Sequence, residues 1–180
     1  MEEKESLVKR VCSFYVSDWH LATMILPYLN KVIENNEKIK TILEKDIEEN
    51  IKTLISKLNL KDEKKLLQIN FKQNKILKYK DFVEFMKDEI EKNKEILLFI
   101  NGRNEYIEII NKNINNWIRK NKKVLIKKNC KIKVLNCYEV TEFNSKMTEI
   151  LDKHDLILNT SGEKQIEEVF EGYTKKAVND

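Results

Sequence analysis

Short apolar runs of strand length alternate with amphipathic helical segments along most of the chain. The strand-type runs cover residues 11–17, 38–44, 65–71, 95–102, 132–138 and 155–159. Between them, apolar residues recur at helical spacing, as Leu21, Met24, Ile25 and Tyr28 do after the first run. Parallel strands need long, right-handed crossover connections, so this alternation favours a mostly parallel sheet. We therefore expect an α/β fold, organised as a three-layer α/β/α sandwich.

The predicted helices follow the strands in order along the chain. Ser17 or Asp18 can cap the first helix, which contains Pro27, so this helix either kinks or starts anew there. Further helices are predicted over residues 46–58, over 82–90, from about residue 103, over 141–153 and over 163–173. Residues 121–128 contain a short apolar core and are predicted to form an extra edge strand or a loop.

The chain is expected to fold as a single domain over residues 1–180. It has one Pro, three Gly and no internal repeat, and 41% of its residues are hydrophobic, enough for a continuous core. No run approaches the roughly 18 apolar residues of a membrane span, and the start of the chain lacks the apolar segment of a signal peptide. We therefore expect a soluble, cytoplasmic protein without membrane contact.

The residue types that hold metals or perform covalent catalysis are sparse. Cys12, Cys130 and Cys137 show no C-x-x-C spacing, which favours reduced, buried thiols over a redox or metal role. The two histidines, His20 and His154, are too far apart to anchor a metal cluster, and no Ser-His-Asp or H-E-x-x-H pattern occurs. We therefore expect no catalytic residue, no metal and no cofactor.

Glu139 and His154 are the remaining titratable candidates. They flank the predicted helix over 141–153, so they should lie at opposite edges of the sheet and should not act together as acid and base. His154 is expected to contact the free carbonyl groups at the C-terminus of that helix.

Neither of the standard phosphate-binding loops occurs in the sequence. A Walker A loop needs G-x-x-x-x-G-K-[ST], because its glycines let backbone amides surround the phosphates and its Lys neutralises them. The three glycines of this chain stand alone at 102, 162 and 172, and no G-x-G-x-x-G occurs. The sequence therefore lacks the usual motifs for nucleotide hydrolysis and for dinucleotide redox chemistry.

The turns that follow the predicted strands are the places to look for a ligand. In an open parallel sheet, ligands bind outside the carboxyl ends of the strands, which here are followed by residues 17–20, 101–105, 138–142 and 159–163. The candidate ligand-binding residues in these turns are Asp18, Trp19, His20, Asn101, Arg103, Asn104, Tyr138, Glu139, Thr160 and Ser161.

Two pairs of these candidates each have an alternative interpretation. Trp19 and His20 can stack on and hydrogen-bond a small ligand, or Trp19 can pack at the helix start while solvent surrounds His20. Arg103 and Asn104 can hold an anion at a helix N-terminus, where free amides and the helix dipole favour negative charge. In the alternative, Arg103 is simply an exposed residue that begins the helix.

Residues 119–133 contain eight basic residues and no acidic one. Such a stretch can follow a phosphate backbone, but this one lacks interleaved aromatic residues, which favours a solvated surface. An acidic protein partner also fits. The whole chain has a net charge of only +4, which is weak support for nucleic-acid binding. The residues that would contact nucleic acid are Arg119, Lys120, Lys122, Lys123, Lys127 and Lys128.

Two segments carry short residue patterns in a characteristic order. In "SFYVSDWHLATMILPYLNKVIENNEKIKTIL" the matching residues are Phe14, Tyr15, Asp18, Pro27 and Tyr28. In "LNCYEVTEFNSKMTEILDKHDLIL" they are Cys137, Tyr138, Glu139, Phe143 and His154. With these motifs, the chain resembles the MEDS domain, the methanogen/methylotroph sensory domain of the DcmR type. It departs from that family at "ENNEK", where a Gly-rich turn is usual and where Asn35 or Asn36 should take the left-handed conformation.

The resemblance implies a degenerate RecA-like fold without a Walker A loop and a non-catalytic sensory or regulatory role. Members of the family are proposed to recognise small organic molecules in signal transduction or transcription control. The expected partners are therefore a small molecule, a protein of a signalling pathway or a second copy of the chain. Two rival functions are a nucleic-acid-associated protein that uses the basic stretch, and an enzyme with residual nucleotide binding at residues 17–20 and 101–104.

Overall fold

A computed structural model describes residues 7–140 and 146–175 of the chain. One six-stranded sheet has the strand order β2-β3-β4-β1-β5-β6. The strands are β1 (Val8–Tyr15), β2 (Lys38–Leu43), β3 (Glu95–Gly102), β4 (Lys131–Glu139), β5 (Leu156–Asn159) and β6 (Gly162–Gln165). Neighbouring strands run parallel except β5 and β6, which are antiparallel. The predicted mostly parallel sheet is confirmed.

Helices cover both faces of this sheet. They are α1 (Asp18–Glu34), α2 (Glu48–Lys57), α3 (Glu63–Leu66), α4 (Tyr79–Phe85), α5 (Glu89–Lys92), α6 (Asn104–Lys127), α7 (Lys146–Asp152) and α8 (Ile166–Val169). Helices α1, α2 and α3 pack on one face, called here the α1 face, and α4, α6, α7 and α8 pack on the other, called the α6 face. The three-layer α/β/α sandwich is therefore confirmed. No helix of the described part of the chain combines the length and apolar character needed to cross a membrane.

The core follows the two periodicities that the sequence shows. In β3 the side chains alternate between the faces, so that Leu97 and Phe99 join the α1-face cluster and Leu98 and Ile100 join the other. The helical stripe predicted after residue 103 is buried on the α6 face. It consists of Tyr106, Ile107, Ile110, Ile114 and Trp117. Apolar burial on both faces is typical of a central strand, and β3 lies between β2 and β4.

Helix α1 begins and ends where local chemistry dictates. The Ser17 hydroxyl caps it by accepting a hydrogen bond from the His20 amide at 3.1 Å. The helix continues through Pro27 to Glu34, so it does not start anew at that residue. Asn36 has a φ of 58°, the left-handed conformation predicted for this turn.

The predicted strand over 65–71 is wrong, because these residues end α3 and enter a loop along the outer edge of β2. The Asn74 side chain there replaces a neighbouring strand: its Oδ1 accepts from the Leu43 amide at 2.8 Å and its Nδ2 donates to the Thr41 carbonyl at 2.7 Å. Leu66 and Phe71 are buried on the α1 face. A short apolar run of this kind cannot be assigned to strand or helix by periodicity alone.

Two further predictions, which concern where helices end, are wrong. Residues 121–128 form neither an edge strand nor a loop but the last turns of α6, where Leu125 extends the buried stripe. The predicted helix over 82–90 is interrupted at Asp88, whose φ of 63° separates α4 from α5. The predicted helix over 141–153 is described only as α7, because residues 141–145, including Phe143, lie outside the described residues.

The predicted final helix over 163–173 is also wrong. Residues 162–165 form β6, which pairs with β5 as a hairpin, and only the short α8 follows. The hairpin turn is stabilised by Asn159, whose Oδ1 accepts from the Ser161 amide at 2.8 Å, and by Gly162 at a φ of 103°. The sequence "NTSG" carries this turn signal, which outweighs the weak helical spacing after it.

Candidate ligand site at the carboxyl edge of the sheet

The connections after β1 and β4 leave the sheet in opposite directions. The chain passes from β1 along the α1 face to β2 on one side, whereas α7 lies on the α6 face and precedes β5 on the other side. The two strands are neighbours, and Tyr15 pairs with Glu139 at their carboxyl ends. A divergence of this kind creates a crevice at the carboxyl edge, where open α/β sheets bind ligands.

Asn101 holds the turn that follows β2 in place. Its buried Oδ1 accepts hydrogen bonds from the amides of Glu44 at 3.0 Å and Lys45 at 3.4 Å, and its Nδ2 donates to the Lys45 carbonyl at 3.4 Å. The amide group of this predicted ligand-binding residue is therefore committed to the protein itself, where it positions Glu44 and Lys45.

Two ion pairs connect the turns after β2, β3 and β4. Arg103 Nε donates to Glu44 Oε1 at 2.7 Å, and Lys45 Nζ lies 2.5 Å from Glu139 Oε1. The hydrogen bond to Glu139 raises the pKa of Lys45, which therefore stays charged. The Arg103 side chain is 72% exposed, so its pair with Glu44 contributes little to the stability of the fold.

The place predicted for an anion at the start of α6 already holds a carboxylate of the protein. A Cβ atom at Gly102 would lie 2.8 Å from Glu44 Oε2 and 3.1 Å from Tyr106 Cδ1, which locates the Glu44 carboxylate against the first turn of α6. A negative charge is favoured at that end of a helix. An external anion would have to displace Glu44 from both the helix and Arg103.

Two buried polar atoms at this edge lack partners. The Tyr15 hydroxyl and Glu44 Oε2 make no hydrogen bond with any described residue. Burial, and then the charges of Glu139 and other nearby acidic groups that include Asp18, raise the pKa of Tyr15, so its hydroxyl remains a donor. Buried polar groups are nearly always satisfied in folded proteins, so the unpaired Tyr15 donor and the unpaired Glu44 acceptor are both available to a bound molecule or water.

Apolar side chains lie exposed at the start of α1. Trp19 is 51% exposed and Val16 is 70% exposed at the turn between β1 and α1. His20 Nδ1 accepts from the Val16 amide at 3.2 Å, which leaves its Nε2 as the protonated nitrogen. Trp19 is therefore available to a ligand rather than buried under the helix start.

The other candidates line separate cavities near this edge. Thr160 and His20 line a cavity of about 220 Å³. Thr160 and Ser161 also line one of about 360 Å³ on the α1 face. Asn104 and Tyr138 line a groove of about 790 Å³ on the α6 face. The ten candidates therefore share one edge of the sheet but not one pocket.

Sequence reasoning missed Glu44 and Lys45. Both directly follow β2, so the rule that ligands bind beyond the carboxyl ends of strands applies to them as it does to the four turns that were considered. Tyr15 was noted only for its place in a family motif. A buried hydroxyl without a partner is a property of packing and has no sequence signal.

His154 belongs to a buried polar network on the α6 face. Its Nε2 lies 2.9 Å from Asn136 Nδ2, and its Nδ1 lies 2.6 Å from the carbonyl oxygen of Ile150 in the last turn of α7. Asn136 in turn exchanges two hydrogen bonds with Asn111, at 2.9 and 3.1 Å. Burial lowers the pKa of His154 to about 4, so the ring is neutral, with Nδ1 as donor and Nε2 as acceptor. Glu139 pairs with Lys45 instead, so Glu139 and His154 are not an acid and base pair.

The three cysteines lie inside the fold. Cys12, Cys130 and Cys137 are free and buried, and burial raises the pKa of the Cys12 thiol to about 12.

The basic residues predicted to contact nucleic acid lie exposed on the last turns of α6 and at its C-cap, Lys128. Three of these side chains have partners: Arg119 Nη2 donates to Asn116 Oδ1 at 3.0 Å, Lys120 lies over the Tyr79 ring, and Lys128 pairs with an acidic residue at 2.7 Å.

Within residues 7–140 and 146–175, no three His, Cys, Asp or Glu side chains are grouped closely enough to hold a metal. No protein-family model matches the chain, and no curated protein is significantly similar to it.

Proposed function

We propose that the chain is a non-catalytic sensory or regulatory domain that binds a small molecule at the carboxyl edge of its sheet. The observation that carries the proposal is the pair of buried, unpartnered atoms there, the Tyr15 hydroxyl and Glu44 Oε2. A ligand that accepts from the hydroxyl and donates to the carboxylate satisfies both. The resemblance to DcmR-type sensory domains supplies the sensory part of the proposal, which we assign to the cytoplasm.

The charges at this edge favour a ligand without a phosphate. Glu139, Asp18 and Glu44 contribute to the electrostatics around the Tyr15 hydroxyl. A triphosphate would face these carboxylates, and the cations of the two ion pairs there, Lys45 and Arg103, are already neutralised. An uncharged or positively charged ligand that rests against the exposed Trp19 ring fits this arrangement.

The ion pair between Arg103 and Glu44 couples ligand binding to contact with a partner protein. A ligand group that donates to Glu44 competes with Arg103 for the carboxylate, so binding weakens the link between the turns after β2 and β3. Arg103 is then free to contact a regulatory protein or a second copy of the chain. The chain then has two states, one with the Arg103–Glu44 ion pair formed and one with it broken. The ligand can change the affinity for the partner by no more than the difference between its own affinities for these two states.

Replacing Tyr15 with Phe is expected to separate binding from stability. The substitution removes an unsatisfied buried hydroxyl, so the free energy of unfolding should stay equal or rise by about 1 kcal/mol. The small molecule that wild type retains from native lysate should be lost, as it should be with Trp19→Ala. Arg103→Ala removes the group that competes with the ligand for Glu44, so this variant should retain the small molecule and lose a protein partner that Arg103 contacts. The measurements are urea unfolding and mass spectrometry of the small molecules and proteins that co-purify with the tagged chain.

Matched controls make this experiment decisive. Arg119→Ala removes another exposed Arg of α6, and Leu77→Ala removes another exposed apolar side chain, so both should retain the species that wild type retains. The proposal is wrong if Trp19→Ala, Arg103→Ala and Tyr15→Phe all recover the same species as wild type. A stabilising shift on addition of ATP or GTP would instead support the rival nucleotide-binding enzyme.

A second candidate function is binding to nucleic acid through the end of α6. The specific observation is that Arg119, Lys122, Lys123 and Lys127 occupy the exposed end of one helix without an ion pair to any described residue. Replacing Lys122, Lys123 and Lys127 by Gln together should then abolish salt-sensitive retention on DNA or RNA columns, because phosphate contacts weaken steeply with salt. If wild type is not retained at low salt, this second function is excluded.

A further inference from the structure

A groove of about 790 Å³ lies on the α6 face between α6 and the end of α7. Asn104, Glu108 and Lys112 line it from α6, Tyr138 lines it from β4, and residues between 150 and 155 form the opposite wall. Sites for small molecules typically enclose about 300–1,000 Å³ and present a few convergent polar groups. The groove has the size and the chemistry of such a site.

The α6 wall of the groove carries two side chains of opposite charge. Glu108 and Lys112 lie one turn apart, in the order in which a Glu and a Lys normally pair along a helix. Neither forms an ion pair with another residue of the described part of the chain. Two other charged side chains of the groove are engaged: Arg10 Nη2 donates to Asn115 Oδ1 at 2.7 Å, and Lys175 Nζ donates to the His154 carbonyl at 2.9 Å.

Neutral polar groups lie beside these charges. The Tyr138 hydroxyl and the Asn104 amide form no hydrogen bond with any residue in the two described ranges. Burial raises the pKa of Tyr138, and Glu108 is among the charges that add to this shift, so the hydroxyl stays protonated and can donate. The T-shaped contact between the Tyr138 and His154 rings, with centroids 5.9 Å apart, holds the tyrosine in position.

We propose that this groove binds a small zwitterion of the α-amino-acid class. Lys112 contacts the carboxylate of the ligand, Glu108 contacts its ammonium group, and Tyr138 and Asn104 bind its remaining polar atoms. A simple anion or a simple cation would leave one of the two charged side chains unmatched, whereas a zwitterion matches both. The proposal is independent of the ligand proposed for the carboxyl edge.

The test is calorimetric titration of the full chain with each standard amino acid. We expect at least one amino acid to bind, and Glu108→Gln and Lys112→Gln each to weaken it at least about tenfold, since each loses a hydrogen bond with a charged group. Tyr138→Phe should weaken it less. Binding should be unchanged in Glu149→Gln and Lys123→Gln, which remove the same charges from exposed positions that do not line the groove.

Derivatives of the bound amino acid show which charge meets which side chain. The N-acetylated form lacks the ammonium group, so its weaker binding should no longer respond to Glu108→Gln, while the amide form should no longer respond to Lys112→Gln. The proposal is overturned if no amino acid binds wild type, or if both variants bind like wild type while their unfolding curves show an intact fold. Failure of Trp19→Ala or Arg103→Ala to alter this binding leaves it standing, because those residues do not line the groove.

Discussion

Gly102→Ala is expected to lower the free energy of unfolding by about 3 kcal/mol, because the added methyl group meets both an unfavourable backbone conformation and a close contact. Gly102 has a φ of 147°, a backbone conformation that residues with a Cβ atom rarely adopt. Holding such a residue in this conformation costs about 1–3 kcal/mol. The new Cβ would also lie 2.8 Å from both Glu44 Cβ and Glu44 Oε2. Overpacking of this kind costs a further ~1–3 kcal/mol.

Gly162→Ala is the matched control for this experiment. Gly162 also has a positive φ, 103°, but a Cβ there meets no atom within 4 Å. Its substitution should therefore show the backbone strain alone, about 1–2 kcal/mol. Urea unfolding of both variants gives the difference that is due to the contact with Glu44. If the two variants lose the same stability, Glu44 does not lie against the first turn of α6 as described.

The second large effect concerns pH and His154. Its pKa is lowered by burial to about 4 in the folded protein, against 6.5 for an unperturbed histidine. The unfolded chain therefore takes up the proton first as pH falls, so the contribution of His154 is complete above pH 6.5 and is lost as pH falls towards 4. Each pKa unit corresponds to about 1.4 kcal/mol, so we expect a loss of roughly 3 kcal/mol over this interval.

The chain contains only one other histidine, which serves as the control. His154→Gln should be less stable than wild type near neutral pH, because it disrupts the bonds to Asn136 and Ile150, but its stability should change less with pH. His20→Gln should keep the wild-type slope. Urea unfolding measured at intervals across the range compares the three proteins. A wild-type slope in His154→Gln would show that other groups cause the pH dependence.

Much of the fold could be predicted because the relevant signals are local. The apolar run of β3 and the stripe on α6 identify a strand and a helix from consecutive residues. Ser17 caps α1 through an amide only three residues away. Even the left-handed turn at Asn36 follows from a short polar sequence that lacks glycine.

The errors arise where distant residues decide the structure. The loop after α3 follows the edge of β2 because Asn74 bonds to backbone groups about thirty residues earlier in the chain. The site has the same character, since Arg103 and Glu44 are 59 positions apart and Lys45 and Glu139 are 94 apart. No periodicity or spacing in the sequence indicates such pairs. They follow only once the sheet order brings the carboxyl ends together.

Hydrogen exchange mass spectrometry tests ligand binding at the carboxyl edge most directly. The chain is compared in buffer and in the small-molecule fraction of native lysate, with Tyr15→Phe as the variant that should not respond. We expect slower exchange in the turns after β1, β2 and β3, at residues 16–20, 44–47 and 102–106, and no change at the end of α6. Unchanged exchange in those turns, or equal protection of Tyr15→Phe, would contradict a ligand site built around the Tyr15 hydroxyl and Glu44.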